Sequence, residues 1–134
     1  GSPAGGGYTT AGDMMAFAHA LLNHALLKAE TTALLLEGKV DGRPGEQYAY
    51  GFIVRANGSV GHGGGFPGVS TYSNIYPETG YAFVVLSNED RGGQDIVNML
   101  DSMIERLLTQ VPLNMPLSSD PAATLPADNL MTSP

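Results

Sequence analysis

The sequence contains no cysteine, so disulfide bridges and thiolate chemistry are both excluded. It is also poor in basic residues: 6 Lys and Arg stand against 13 Asp and Glu, a net charge of −7. A chain with that balance and a pI near 4.6 repels polyanions, which argues against nucleic acid and against an anionic membrane surface as partners. No apolar run is long enough to span a bilayer, and no basic-then-apolar opening suggests a signal peptide. What the sequence has in quantity is glycine and proline, 18 and 9 in 134 residues, the mark of many turns. At that length there is room for one domain with a single modest core.

Local pattern divides the chain into elements. Thr10 followed three residues later by Asp13 predicts a capped helix start. Met14, Phe17, Ala18, Leu21 and Leu22 then recur at helical spacing, which predicts a helix over about 11–23. A shorter helix is expected over 29–37, stopped by Gly38 as a left-handed cap. From Gln47 the period becomes two, with Tyr48, Tyr50, Phe52 and Val54 alternating as in one half-buried strand. Asn57-Gly58 predicts a hairpin with positive φ at both turn positions, folding 59–64 back beside that strand. Further strands are expected over 69–76 and 81–86, the second apolar enough to be covered on both faces. A long helix follows from near Gln94, with Ile96, Val97, Leu100, Met103, Ile104, Leu107 and Leu108 as its apolar stripe, until Pro112. The sum is an α+β fold: an antiparallel sheet of about four strands, two N-terminal helices, and a C-terminal helix packed on the sheet. Residues 1–111 form the expected domain, and the aperiodic Pro-, Ser- and Ala-rich stretch 112–134 reads as a disordered tail.

One stretch points to chemistry. Gly61-His62-Gly63-Gly64-Gly65-Phe66-Pro67-Gly68 lies between two strand-like segments. Glycines in a strand weaken it and mark places where another backbone or a ligand approaches closely. His62 heads the run as a side chain able to donate or accept a hydrogen bond and to change charge near neutral pH. A tight turn alone would also explain the glycines. A phosphate loop is not supported, since no Gly-Lys-Ser/Thr follows. His19 and His24 are five apart on a helix and share no face, so a metal site with His62 is not expected. The letters Asn57-Gly58-Ser59 form a glycosylation sequon, which the hairpin turn explains equally well.

Five segments in order, Pro3–Asp13, Tyr50-Gly51-Phe52, Gly61–Gly68, Tyr76–Gly80 and Val84–Asn88, resemble the C-terminal portion of the serine β-lactamase-like family. That family includes class C β-lactamases, penicillin-binding D,D-peptidases, D-aminopeptidases and related esterases. The resemblance covers about residues 3–110 and implies a partial β-lactamase-like fold and serine acyl transfer with no cofactor and no metal. It implies a Ser-x-x-Lys nucleophile box, a Tyr-x-Asn box, and a third box of Lys-Thr-Gly or His-x-Gly type facing the nucleophile. His62-Gly63-Gly64 resembles the third box in its histidine form. By position the Gly65 amide would be one oxyanion donor, with Phe66 and Tyr50 as the substrate wall. A histidine is a less dependable cation than lysine, which favours esterase- or peptidase-like activity over β-lactam hydrolysis.

The departures are equally definite. Neither Lys28 nor Lys39 stands three residues after a serine or threonine, so these 134 residues hold no Ser-x-x-Lys. Tyr72-Ser73-Asn74 has the letters of the second box but follows the third box and sits in a strand, which reads as coincidence. The expectation is therefore a part of a hydrolase, inactive alone, whose partners are an acyl substrate and the missing N-terminal half of the domain. The alternative is a non-catalytic binding module of the same fold, with homodimerisation through exposed apolar faces. The resemblance alone favours a periplasmic or secreted setting. Since a hairpin paired along all of 59–64 would cover the strand edge that a substrate needs, the pairing is expected to diverge near His62.

Overall fold

The structure, a computed structural model, describes residues 5–110. The expected stop at Pro112 and the tail at 112–134 lie outside the described residues.

Helix α1 (Ala11–Leu22) begins as its sequence predicts. Thr10 Oγ1 accepts from the Asp13 N–H at 3.1 Å and donates to the Asp13 carboxylate at 2.8 Å, which satisfies one of the unpaired amides of the first turn. The helix ends on His24, whose φ of 57° places it in the left-handed region, while Ala25 N–H reaches back to the Ala20 carbonyl. The buried positions are Ala18 and Leu21, and Phe17 stands exposed beside them. Helix α2 (Ala29–Leu36) follows. Gly38 is not its left-handed cap: Glu37 closes the helix in extended conformation, and Gly38 has no positive φ. Gly38 is needed for another reason, because a Cβ there would collide with the Gln47 side chain.

The sheet has six strands, in the order β1-β2-β3-β4-β5-β6, each antiparallel to its neighbour. They are β1 (Val40–Asp41), β2 (Glu46–Tyr48), β3 (Ile53–Arg55), β4 (Val60–Phe66), β5 (Val69–Tyr76) and β6 (Tyr81–Ser87). The count exceeds four for two reasons. β1 is a two-residue edge strand, and the single strand expected from Gln47 is in fact a hairpin. Gly51, at φ +86°, reverses the chain, and the Ala49 N–H donates to the Phe52 carbonyl across the turn. Tyr48 then pairs with Ile53 rather than sharing a strand with it.

The Asn57-Gly58 reversal also differs in detail. Only Gly58 has positive φ, at +81°, and the Gly58 and Arg55 amides bond the Arg55 and Ser59 carbonyls. That is a longer hairpin loop, a turn closed by a left-handed glycine. Pro67-Gly68 joins β4 to β5 with Gly68 at φ +82°, as a type II turn requires.

Both sheet faces are covered. On one, Ala18 and Leu21 of α1 pack with Val60 and Ile75. On the other, Val97 and Ile104 of α3 (Gly92–Gln110) pack with Tyr76, Phe83 and Val85. Phe83 and Val85 face α3 while Ala82 joins the α1 cluster, so β6 is sandwiched as its unbroken apolar run predicts. Among the described residues no helix is long and apolar enough to cross a membrane.

Candidate active site

Strand β4 is paired along its whole length on one side only. β5 runs beside it from Val60↔Ile75 to Phe66↔Val69, whereas β3 stops at Ile53↔Gly61. The pairing therefore diverges just before His62, as the sequence requires of a usable edge. The Arg55 N–H donates to the Ser59 carbonyl at 2.9 Å, so the Ser59 carbonyl faces β3. Backbone groups alternate direction along a strand. Gly61, Gly63 and Gly65 thus turn their N–H and C=O groups toward β3, and beyond Gly61 that side is open among the described residues.

Side chains alternate as well. Val60 packs toward α1, so His62, two residues on, shares that face, while Gly61, Gly63 and Gly65 have theirs toward α3. The glycines differ in what they make room for. A Cβ at Gly61 would collide with the Ser73 carbonyl and the Asn74 amide oxygen. One at Gly63 would lie 3.0 Å from the Tyr72 ring, whose other side is bounded by Gly93. A Cβ at Gly65 would meet only the Val69 carbonyl, at an ordinary 3.6 Å. Gly61 and Gly63 are explained by the sheet's own packing. Gly65 is not.

His62 is exposed and uses both ring nitrogens. Nδ1 lies 2.6 Å from the Gly63 carbonyl and Nε2 lies 3.0 Å from Tyr48 Oη. The Tyr48 ring meets the imidazole edge-on, centroids 5.9 Å apart. Tyr48 was invisible as a site residue in the sequence because only the β2–β3 reversal brings it beside β4. Its neighbour Tyr50, expected on the substrate wall, instead sits in the β2–β3 turn with Lys39 Nζ 5.9 Å from its ring. It does not line the groove described below. Phe66 ends β4 at 78% exposure and lies outside the groove too. His62, Gly63, Gly64 and Gly65 all line the groove.

The groove, of about 660 Å³, wraps the free edge and runs onto the α3 side, where Tyr48, Arg55, Tyr72, Gln94 and Asp101 contribute. Arg55, Glu46 and Asp101 of its lining belong to a polar network that continues into the buried Asn74 and Tyr76. Arg55 donates to Asn74 Oδ1 at 3.1 Å and lies 3.5 Å from Glu46, Asn74 Nδ2 donates to Asp101 at 3.3 Å, and Tyr76 Oη donates to Asp101 at 2.6 Å. Burial of Tyr76, then its hydrogen bond to Asp101 and the negative charge of Asp101 and Glu105, push the phenol well above its ordinary value of 10.0, with Arg55 opposing. Tyr72 Oη donates to Gln94 at 2.9 Å. Tyr72 and Asn74 thus both bond to α3, through Gln94 and Asp101. His19, His24 and His62 do not converge: among the described residues no group of three or more His, Asp or Glu is placed to hold a metal.

This architecture, an antiparallel sheet between helices with a glycine-lined histidine strand at an open edge, has relatives. The family model described as Beta-lactamase matches residues 1–107, and the chain belongs to that family. Among solved structures it is similar to one titled "The crystal structure of penicillin binding protein from Bacillus halodurans", at 29% identity and a TM-score of 0.67. The match covers 71% of this chain and 30% of that one, so the chain spans under a third of the length of that relative. No curated protein matches the sequence. Family and fold together relate the chain to the serine hydrolases.

Proposed function

We propose that this chain supplies the third active-site wall of a serine hydrolase acting by acyl transfer on an ester, amide or peptide. The observation that carries the reading is the open edge of β4 at Gly63 and Gly65, beside His62. The Gly65 amide faces that edge, where it would donate to the oxyanion formed as a serine adds to the acyl carbon. A donor held in place before reaction stabilises charge as it develops, and losing one costs roughly a hundredfold to a thousandfold in rate.

The nucleophile and its lysine are not among these 134 residues. The chain is accordingly the C-terminal part of a longer enzyme and turns over no substrate alone. The second reading, a binding module, rests on apolar side chains left exposed along α1, α2 and the link between them, among them Phe17, Leu26 and Leu34. In the first reading the N-terminal part of the domain covers them; in the second, a partner or a second copy does.

The test begins with the gene upstream of residue 1, where a Ser-x-x-Lys followed by a Tyr-x-Asn is expected. The longer protein should be labelled at that serine by a fluorophosphonate probe and should hydrolyse a chromogenic ester, with kcat/KM reduced in His62→Ala. The 134-residue chain alone should show neither labelling nor turnover. Equal kcat/KM for His62→Ala and wild type would remove His62 from the site. A missing or unrelated upstream region would transfer the case to the binding module.

A further inference from the structure

We infer that Tyr48 is the positioning residue for His62, holding the imidazole along the strand edge in a single tautomer. The inference rests on the proposed role of His62, but its geometry stands on its own. A carbonyl oxygen can only accept, so at 2.6 Å from the Gly63 carbonyl it is Nδ1 that carries a proton. In the neutral ring Nε2 is then an acceptor, and its partner must donate. Tyr48 Oη, 3.0 Å away, is such a donor. The two bonds support each other: which ring nitrogen is protonated is set by what the other one binds.

Three features make Tyr48 specific for this task. It comes from β2, two strands from β4, and reaches His62 only because β3 has already left β4 at Gly61. Its backbone is anchored on both sides, pairing with Val40 and with Ile53. Its ring meets the imidazole edge-on at 5.9 Å, so packing and hydrogen bond fix the same orientation. The consequence falls on the strand edge. The ring occupies the Gly63 carbonyl and leaves the Gly65 amide and carbonyl as the open pair, so an acyl group registers at Gly65.

The experiment is a long-range proton–nitrogen correlation spectrum of the uniformly nitrogen-15-labelled 134-residue chain. It is recorded at alkaline pH, where the spectrum itself shows the ring to be neutral. Wild type is expected to show His62 with a pyrrole-like Nδ1 and a pyridine-like Nε2, the tautomer that free imidazole side chains disfavour in water. Tyr48→Phe keeps the ring and removes the hydroxyl, and should convert this pattern to a mixture of both tautomers. His19 and His24 serve as internal controls and should not change. A wild-type spectrum with a pyrrole-like Nε2, or a Tyr48→Phe spectrum in which His62 is unaltered, would overturn the inference. Neither result touches the ester assay, so failure here is distinct from failure of the hydrolase reading.

Discussion

Alanine placed in turn at Gly61, Gly63 and Gly65 of β4 should separate the glycines that the sheet's packing requires from the one that it does not. At Gly61 the new methyl group would enter the space of the Ser73 carbonyl and Asn74 Oδ1. A strand carbonyl cannot swing aside without breaking its ladder, and Asn74 is held by Arg55 and Asp101. Overpacking against groups that cannot yield belongs at the upper end of its range, about 3 kcal/mol. For a domain of this size that corresponds to a fall in Tm of roughly 12–24 °C. At Gly63 the contact is with the Tyr72 ring at 3.0 Å, and retreat is blocked by Gly93 behind it and by the bond to Gln94. A loss of about 1–2 kcal/mol follows. At Gly65 nothing stands closer than 3.6 Å, so Gly65→Ala should lie within about 0.5 kcal/mol of wild type. Thermal unfolding of the three variants, followed by circular dichroism, gives the order directly. If Gly65→Ala proved as damaging as Gly61→Ala, the distinction between glycines that packing requires and Gly65 would fail. A Gly61→Ala variant as stable as wild type would refute the account of the close approach.

Two further substitutions test the core and the network. Ile75→Ala, at a position of β5 that is 1% exposed and packed against α1, should cost about 2–5 kcal/mol, whereas Phe66→Ala should leave Tm nearly unchanged because the ring is 78% exposed. Tyr76→Phe removes a bond to a carboxylate and should cost about 1.5–3 kcal/mol by urea denaturation at neutral pH. It should also alter the alkaline limb. Since the folded protein holds the Tyr76 phenol above its unfolded value of 10.0, the unfolded chain releases that proton first. The stabilisation is complete below about pH 10 and declines as pH rises beyond it, so the wild-type slope there should flatten in Tyr76→Phe.

What could be read from the sequence was decided locally. Thr10 and Asp13 cap α1 through contacts three residues apart, and the apolar run in 81–86 reflects faces that each residue keeps alone. The position of the open edge was legible too, because a bare glycine strand implies it. The β2–β3 reversal was not. A period of two in the sequence is blind to a hairpin: Tyr48, Tyr50, Phe52 and Val54 alternate along the chain, yet the turn pairs Tyr48 with Ile53 and so puts Val54 on the other face, and Gly51 looks like any small residue between two large ones. Missing that reversal meant missing Tyr48 and misplacing Tyr50. Gly38 failed similarly: its reason is the Gln47 side chain, a neighbour supplied only by the β1–β2 pairing. Asn57 kept a negative φ because the loop has room for one more residue than the shortest hairpin.

The open edge of β4 is a consequence of what lies behind it. Arg55 is the last residue of β3, and its guanidinium reaches Asn74 on β5, whose register partner on β4 is Gly61. Asn74 and Tyr76 in turn converge on Asp101 of α3, tying the sheet to the helix on the face away from His62. β3 is therefore fastened to the sheet at its far end, near the Gly58 loop, and free to turn back at its near end through Gly51. Where it turns back, β4 loses a neighbour and the Gly63 and Gly65 backbones come into the open. The charged network on one face and the bare strand edge meet at Gly61: a Cβ there would enter the space of Asn74 Oδ1, the atom that accepts from Arg55.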